Sequence, residues 1–278
     1  MNQTVCLINQ QWQGGMNPDY SFGASLLAQI VPPSSAETIF APMEEGAESL
    51  TSIDGQETLL RQMKATYDLL VEKNLAKVIT LGGDCAVSEA PFDYLHGKYP
   101  LDLGIIWLDA HPDVSNESNS HHVHEMVLAN LMHRGAKDFN QSVVHPFKPS
   151  QVLLAGLQVQ DLRPKDKLVH QLNLTISTPE NLTTASNWIK HQGIKRLAIH
   201  WDLDVLAPDD FYSILPAKPG LDLKDFDAAV GTLMLNQVLE FLEEIQKSCE
   251  IVGLTLAEHM PWDALRLRSG LRNLEIFS

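Results

Sequence analysis

The sequence has few cysteines and few basic residues. Only three of its 278 residues are cysteine, Cys6, Cys85 and Cys249, and none of them forms a Cys-x-x-Cys pair. This spacing argues against a disulfide framework and against a four-cysteine zinc site. The 35 acidic residues outnumber the 20 basic ones and give a formal net charge of -15. Because that charge repels phosphate groups, we expect neither nucleic acid nor an anionic membrane as a partner, whereas a cation or a cationic substrate is favoured.

Long apolar runs are also missing. Nowhere do about 18 apolar residues follow one another, the length that a membrane span needs. The N-terminal stretch MNQTVCLINQ has no basic start, apolar segment or small-residue cleavage site of a secretory signal. We therefore expect a cytoplasmic protein. With 44% hydrophobic residues and no linker or repeat, residues 1–278 are predicted to form a single catalytic domain around one core.

Short apolar runs recur along the chain, each followed by a longer stretch with helical spacing. The runs are TVCLIN, AKVITLGG, LGIIWLDAH, QVLLAGL, KRLAIHWDLD and EIVGLTLAE. Their apolarity is continuous and not alternating, which is typical of strands covered on both faces. The helical stretches are ETLLRQMKATYDLLVEK, VLANLMHR, NLTTASNWIKHQ and DLKDFDAAVGTLMLNQVLEFLEEIQKS. This alternation predicts the α/β class, with a central, mostly parallel sheet in a three-layer αβα domain.

Acidic residues follow two of these runs at the point where the strands end. LGIIWLDAHPD places Asp109, His111 and Asp113 at a period of two, and HWDLD does the same with Asp202 and Asp204. Extended chain points such residues to one side, and sites form at the carboxyl edge of a parallel sheet. An isolated Asp after a strand more often caps a helix or turn. Two clusters of buried charge need partners, however, and carboxylates in excess over imidazole favour divalent ions such as Mn(II).

Three short elements resemble those of the ureohydrolase family, the arginases, agmatinases and their relatives. This sequence has GGDCA, DAHPD and HWDLD where that family has Gly-Gly-Asp-His-Ser, Asp-Ala-His-x-Asp and Ser-x-Asp-x-Asp, in the same order. The likeness extends from about Leu81 to Pro261. It implies an arginase-like fold with a binuclear manganese centre, in which a hydroxide bridging the ions attacks a guanidinium carbon to give urea and an amine.

The resemblance also implies the ligand set of the two metals. Two ligands bridge the ions and two more complete each of them, which gives Asp109 and Asp202 as bridges, Asp113 and Cys85 on one metal, and His111 and Asp204 on the other. Cys85 departs from the family, which has histidine there. As a thiolate it would remain a ligand but favour Zn, Fe, Co or Ni over Mn(II). As a non-ligand it would leave one metal loosely held, and as a nucleophile it would need a basic partner.

Two further positions correspond to catalytic groups of the family. His124, at the start of an apolar helical stretch, corresponds to the histidine of a His-Gly-Met element that shuttles a proton to the leaving amine, although Glu125 replaces the glycine. Glu258, followed three residues later by Pro261, corresponds to a Glu-x-x-Pro element whose carboxylate pairs with the substrate guanidinium. Otherwise His124 would be part of a polar loop and Glu258 a helix cap.

Two weaker matches concern the rest of the substrate. Ser120 stands where arginases place a serine that contacts the substrate carboxylate. Asp161, in LLAGLQVQD, stands where they place an aspartate that reaches the α-amino group. Both contacts would favour an α-amino acid with a guanidine end over agmatine, although Gln158 and Val159 replace charged residues of that element.

The sequence therefore predicts a metal-dependent hydrolase of the guanidino group of arginine or of a modified arginine such as N-hydroxy-arginine. Its cofactors would be two divalent ions, with Mn(II) preferred. Agmatine, formiminoglutamate or another guanidine or amidine is the alternative within enzymes. A non-catalytic relative with a regulatory or structural role is the alternative from another class. Oligomeric state is not visible, although relatives commonly form trimers or hexamers, so a homo-oligomer stays open.

Overall fold

The computed structural model describes residues 3–48, 53–178, 181–274 and 276. Eight strands lie in this part of the chain: β1 (Thr4–Asn9), β2 (Glu37–Phe40), β3 (Lys77–Gly82), β4 (Leu103–Leu108), β5 (Val152–Ala155), β6 (Thr175–Ser177), β7 (Arg196–Asp202) and β8 (Glu250–Ala257). They form one sheet in the order β2-β1-β3-β8-β7-β4-β5-β6. Every neighbouring pair is parallel, so all strands end at the same edge.

The described α-helices lie between the strands, except the last, which follows β8. They are α1 (Asp19–Ile30), α2 (Gln56–Lys73), α3 (Glu89–Lys98), α4 (Val127–Leu131), α5 (Lys137–Ser142), α6 (Leu168–Gln171), α7 (Leu182–Gln192), α8 (Leu235–Ile245) and α9 (Trp262–Leu271). No helix in the described ranges combines the length and apolarity that a membrane crossing requires.

Both faces of the sheet carry a hydrophobic core, which explains the continuous apolar runs. On β4, Ile105 and Trp107 pack in one cluster with Leu59 and Leu95 of α2 and α3. Their neighbour Ile106 faces the other way and packs in a second cluster, with side chains of α7 and α8. Alternating residues of one buried strand thus serve two cores. The three-layer αβα prediction is confirmed.

Two local predictions differ from the structure. The short outer strands β2 and β6 lie at the two ends of the sheet, and their three or four residues are too few to give a periodic signal. The helix predicted from Asp222 begins only at Leu235. A Cβ at Gly231 would lie 2.1 Å from the carbonyl oxygen of Asp204, so the preceding segment runs in close backbone contact with the end of β7. The single-domain boundary of 1–278 stays a prediction, and its ends lie outside the described residues.

Candidate metal centre

The centre of the sheet brings four predicted segments together. β3, β8, β7 and β4 are consecutive neighbours in the sheet, and their carboxyl ends carry Cys85, Glu258, Asp202 and Asp109 respectively. These residues are separated by up to 173 positions in sequence, the distance between Cys85 and Glu258. Parallel topology therefore assembles the cluster, as expected for a site at the carboxyl edge.

The turn after β3 fixes the position of Cys85. Gly83 is required there, since a Cβ would lie 1.7 Å from the carbonyl oxygen of Gln11. Asp84 then accepts hydrogen bonds from the backbone N–H groups of Ala86 at 2.9 Å and Gly15 at 3.1 Å. Burial nevertheless raises the pKa of Asp84 to about 7. The aspartate caps a 3₁₀ turn, Cys85–Ser88, and so presents the Cys85 thiol to the cluster.

Three overlapping donor groups lie at this edge, and within each group one ligand atom per residue lies within 4.8 Å of the others. The groups are Cys85, Asp109, His200 and Asp202; then Asp109, His111 and Asp204; and then Asp202, Asp204 and Glu258. Asp109, Asp202 and Asp204 each belong to two groups, so the carboxylates at this edge are close enough to be shared between two ions. Five of the six predicted ligands are thus brought together. Their binding of metal stays a prediction.

Burial and mutual charge shift the pKa values of the ionisable groups in this cluster. Burial, together with the charge of Asp204, raises the pKa of Asp202 well above its usual value. Burial also raises the pKa of Glu258, to about 7. Although burial opposes its protonation, Asp204 and Asp109 raise the pKa of His111 well above the usual value. The groups repel one another as anions, so a dication among them would relieve the repulsion.

Unpaired polar atoms show that a cation fits this donor set. Among the described residues, Nε2 of His111, Nε2 of His200, Oδ2 of Asp113 and Oδ1 of Asp204 are buried without a hydrogen-bond partner. Buried polar groups are rarely left in this state unless something else satisfies them. Nε2 of His200 and the two carboxylate oxygens have lone pairs suited to metal coordination. His111 instead faces Asp109 and Asp204 through Nδ1, at 3.4 and 3.3 Å. Carboxylate, imidazole and thiolate donors around shared carboxylates are chemically consistent with a binuclear centre of divalent ions.

The position of Asp113 differs from that of the other five predicted ligands. It lines the same cavity as Cys85 and Asp202, but its oxygens belong to none of the three donor groups. Its backbone has a left-handed φ of 48°, and its carbonyl oxygen accepts hydrogen bonds from the N–H groups of Leu128 and Ala129. The residue therefore connects the cluster to α4. A rotation of its side chain would be needed before it joined Cys85 on one ion.

His124 and Glu258 face the cavity beside the donor cluster. Nδ1 of His124 lies 2.8 Å from the carbonyl oxygen of Gly14. A carbonyl can only accept, so Nδ1 carries the proton and Nε2 of the neutral ring is free to accept one. Glu258, at a left-handed φ of 62°, accepts a 2.6 Å hydrogen bond from the hydroxyl of Tyr20. The Tyr20 hydroxyl contacts one carboxylate oxygen of Glu258, and the other oxygen lies 3.4 Å from the Cys85 sulfur.

The two residues predicted to bind the rest of an amino acid lie further out. The hydroxyl of Ser120 donates a 2.5 Å hydrogen bond to Glu125, and Asp161 is exposed on a 3₁₀ turn after β5. Neither is among the residues that line the cavity. Glu125 and Arg163 do line it, and their side chains form an ion pair at 3.1 Å. The described structure thus offers a guanidinium at the cavity wall instead.

Four polar side chains of the described site were not predicted as functional from the sequence: Tyr20, Glu125, Arg163 and His200. Tyr20 lies 238 positions from its partner Glu258, and nothing in its local pattern identifies it. Arg163 follows an exposed turn in a proline-containing loop, which is equally uninformative. His200 could have been found from the sequence. It lies two residues before Asp202 on the same strand, so its side chain points to the same side of the sheet.

The cavity itself is small, with a volume of about 90 Å³. Leu215, Phe226 and Ala228 supply an apolar wall. The other lining residues are Tyr20, Cys85, His111, Asp113, His124, Glu125, Arg163, Asp202, Asp204 and Glu258. The apolar wall comes from the segment between β7 and α8, of which the part from Asp222 was predicted as helix. The segment contains short 3₁₀ turns at Leu215–Ala217 and Leu223–Asp225 and contributes these side chains to the cavity lining.

Comparisons with known proteins agree with this geometry. A family model described as "Arginase family" matches residues 41–263. The chain belongs to the arginase family. Members of this family are binuclear, manganese-dependent metal hydrolases that cleave C–N bonds of guanidino and amidino groups, and the protein is accordingly an enzyme of this hydrolase class.

Individual members of the arginase family are distant from this chain in sequence. An arginase of Staphylococcus aureus strain MRSA252 is 25% identical over 219 residues, which cover 75% of this chain and 67% of that protein. For the arginase of strain COL, also 25% identical, the match covers 56% of this chain and only 53% of that protein. An arginase of Entamoeba histolytica is 21% identical over 253 residues, 85% of this chain and 80% of that protein.

Solved structures share the fold over nearly the whole chain. The arginase of Entamoeba histolytica in complex with L-ornithine superposes with a TM-score of 0.76 at 16% identity, covering 99% of each chain. A putative agmatinase of Clostridium difficile gives 0.65 at 18% identity, covering 98% of this chain and 92% of its own. A formimidoylglutamase of Bacillus subtilis also gives 0.65, at 14% identity and 94% and 80% coverage. At these identities the likeness concerns the fold.

Proposed function

We propose that this protein hydrolyses the guanidino group of arginine or of a modified arginine, such as N-hydroxy-arginine, and releases urea or a substituted urea. The observation that supports this proposal best is the position of Glu258. Its carboxylate shares one small cavity with His124 and with the donor cluster. A carboxylate there can pair with a planar guanidinium through two hydrogen bonds and so hold the carbon above the cluster.

Two divalent cations would be held by Asp109, Asp202, Asp204, His111, Cys85 and Asp113. When bound, they would lower the pKa of a water molecule and so supply a nucleophile near neutral pH. Mn(II), the metal of the family, is the first choice, and Zn, Fe, Co or Ni are alternatives that a sulfur donor favours.

The chain's own residues would bind the substrate and move its proton. Tyr20 holds Glu258 in place through the 2.6 Å hydrogen bond, so the carboxylate is oriented before the substrate enters. His124, with its proton fixed on Nδ1 by Gly14, has Nε2 available to collect a proton from the attacking water. The same nitrogen can then return that proton to the amine that leaves. The apolar wall formed by Leu215 and Phe226 keeps other water out.

Selection among guanidines depends on the outer part of the cavity. Ser120 and Asp161 remain our proposal for the carboxylate and α-amino contacts, and they would have to approach through a movement of their loops. Arg163 already lines the cavity and is suited to a substrate carboxylate. Formiminoglutamate, an amidine with carboxylates, is therefore the second candidate. Agmatine has no carboxylate for Arg163 to bind.

A screen for hydrolysis tests the proposal. Protein loaded separately with Mn(II), Zn(II), Fe(II), Co(II) or Ni(II) is incubated with arginine, N-hydroxy-arginine, agmatine and formiminoglutamate. Urea, substituted urea and formamide or ammonia are then measured. We expect turnover of a substrate that carries a carboxylate, and none by an Asp202→Asn variant. If every metal form were inert towards all four compounds, the hydrolase proposal would fall and the regulatory or structural alternative would replace it.

A cytoplasmic location stays a prediction, and the oligomeric state stays open. Cell fractionation and sedimentation measurements check them.

A further inference from the structure

His200 is a buried histidine for which the proposed reaction has no use. It lies on β7 with no exposed surface, two residues before Asp202. Its ring stacks on Trp107 with the centroids 3.7 Å apart, and Nδ1 lies 2.8 Å from the hydroxyl of Ser88. The other nitrogen, Nε2, is buried and has no hydrogen-bond partner among the described residues.

That unpartnered nitrogen points into the donor cluster. Nε2 lies 3.8 Å from Oδ2 of Asp109, too far for a hydrogen bond. One ring nitrogen of His200 lies within 4.8 Å of ligand atoms of Cys85, Asp109 and Asp202, and the Cys85 sulfur is 3.0 Å from Asp202. Ligands around a tetrahedral zinc ion are about 3.5 Å apart at ordinary bond lengths. The four atoms are therefore close to the spacing that one ion requires.

Ser88 gives His200 the support that a metal-bound histidine usually has. Such histidines donate their second ring N–H to a nearby acceptor, which fixes the tautomer and directs the lone pair of the first nitrogen at the ion. The Ser88 hydroxyl can accept from Nδ1. Ser88 also belongs to the 3₁₀ turn that carries Cys85, so one short segment positions both the sulfur and the imidazole.

We propose that His200 is a metal ligand and completes, with Cys85, Asp109 and Asp202, a four-donor site of one nitrogen, one sulfur and two oxygens. Compared with the family elements quoted above, position 85 has lost an imidazole and position 200 has gained one. The centre thus keeps its imidazole by taking it from β7, which is separated from β3 by β8. A donor set that includes a thiolate favours Zn(II), or Fe(II) and Co(II), over Mn(II) at this site. The inference rests on the proposed binuclear centre.

His96 provides a matched control. It is also a buried histidine, it stacks on Phe147 with centroids 3.9 Å apart, and its Nδ1 lies 2.7 Å from the carbonyl oxygen of His145. However, its Nε2 already has a partner, the side-chain amide of Gln151. Phenylalanine at either position keeps an aromatic ring for stacking and removes both nitrogens, so His200→Phe and His96→Phe differ in whether a metal donor is lost.

The first measurement uses the unaltered protein. Zinc is added to two equivalents and the zinc environment is recorded by X-ray absorption, and Co(II) is added in parallel and its absorption spectrum recorded. We expect sulfur scattering at about 2.3 Å and a near-ultraviolet charge-transfer band from thiolate to Co(II). Absence of both signals would overturn the proposed site whatever the variants do.

The variants then test the nitrogen. We expect His200→Phe to weaken zinc binding at one of the two sites by about 100-fold or more, with changed Co(II) bands, and His96→Phe to bind like the parent. Cys85→Ser should lose the charge-transfer band. In the double variant Cys85→His/His200→Ser, the preference should shift towards Mn(II). Unchanged zinc affinity and Co(II) bands in His200→Phe, or in His200→Asn if the first does not fold, would overturn the role of His200.

Hydrolysis assays on the same preparations separate this inference from the proposed function. If zinc is held through Cys85 and His200 but no guanidine or amidine is cleaved, the ligand assignment stands and the hydrolase proposal falls. If Mn(II)-loaded protein turns over substrate and zinc binding does not depend on position 200, the hydrolase proposal stands and the ligand assignment falls.

Discussion

Two groups of buried carboxylates lie on α3 and at the sheet edge, and their surroundings differ. On α3, Glu89 accepts a 2.9 Å hydrogen bond from the side chain of Asn130. Asp93 accepts two, from the backbone N–H groups of Val144 at 2.8 Å and His145 at 2.6 Å. These two acids belong to none of the three donor groups, and they accept hydrogen bonds from neighbouring amide groups, although Oε1 of Glu89 has no partner among the described residues. They hold the loop after α5 and the end of α4 against the helix.

The acids at the sheet edge instead face one another. Asp109, Asp202 and Asp204 share three donor groups with Glu258, His111, Cys85 and His200, and several of their atoms have no partner among the described residues. Repulsion of this kind destabilises a fold unless cations offset it. The difference indicates that the α3 acids serve structure and the edge acids serve a bound group. The following predictions test that distinction.

The largest effect is expected from Asp202→Asn. Removing a carboxylate shared by two donor groups should lower the bound metal by about one equivalent and reduce kcat/KM at least 1,000-fold, about 4 kcal/mol of transition-state stabilisation. Metal analysis and steady-state kinetics check both. The matched change Asp93→Asn should weaken the fold and leave metal content unaltered. Equal metal loss in the two variants would contradict the distinction.

His124→Gln should have the next largest effect. Because the ring serves proton transfer and belongs to no donor group, kcat should fall about 100-fold, or about 2.7 kcal/mol, while metal content stays at the parent value. A pH profile of kcat that loses one limb in the variant would support the assignment. Loss of a metal equivalent in this variant would argue for a ligand role instead.

Glu89→Gln tests the structural acids through the pH dependence of stability. Burial raises the pKa of Glu89 from 4.5 to about 8. Since the folded state then binds a proton that the unfolded state releases, the free energy of unfolding falls as pH rises from about 4.5 to about 8, and is constant above. The glutamine variant, which cannot ionise, should be more stable than the parent at pH 8.5 by up to about 5 kcal/mol and equal or less stable at pH 4.

Urea denaturation at matched pH values and metal concentration measures this difference. Because parent and variant share the metal centre, its own pH dependence cancels in the comparison. A stability difference that did not grow between pH 5 and pH 8 would contradict the raised pKa of Glu89.

Arg163→Met should have the smallest effect. Loss of a guanidinium at the cavity wall should raise KM for a substrate with a carboxylate about tenfold, or about 1.4 kcal/mol, with little change in kcat. Agmatine serves as the control substrate. An equal rise of KM for agmatine would show that Arg163 acts by holding Glu125, with which it pairs at 3.1 Å.

Much of the fold could be predicted because the apolar runs that indicate its strands are local features of the sequence. Six continuous apolar runs of strand length indicated a sheet covered on both faces, and six of the eight described strands follow from them. The segment before Leu235 was wrongly predicted as helix because its apolar spacing suits one. A close backbone approach of Gly231 to Asp204 and Val205 is incompatible with that helix, and these residues lie about 26 positions away in sequence.

The candidate site was likewise predictable in part: some of its residues follow from local sequence patterns and others do not. By itself, the sequence determined the acidic and histidine residues at the strand ends, since a period of two along a strand fixes the side to which they point. Only the tertiary structure decided which side chains complete the cluster. Tyr20 reaches Glu258 across 238 positions, and His200 meets Cys85 because β7 and β3 flank β8. Contacts of this kind depend on the order of strands in the sheet, which the hydrophobic pattern of any one strand does not encode.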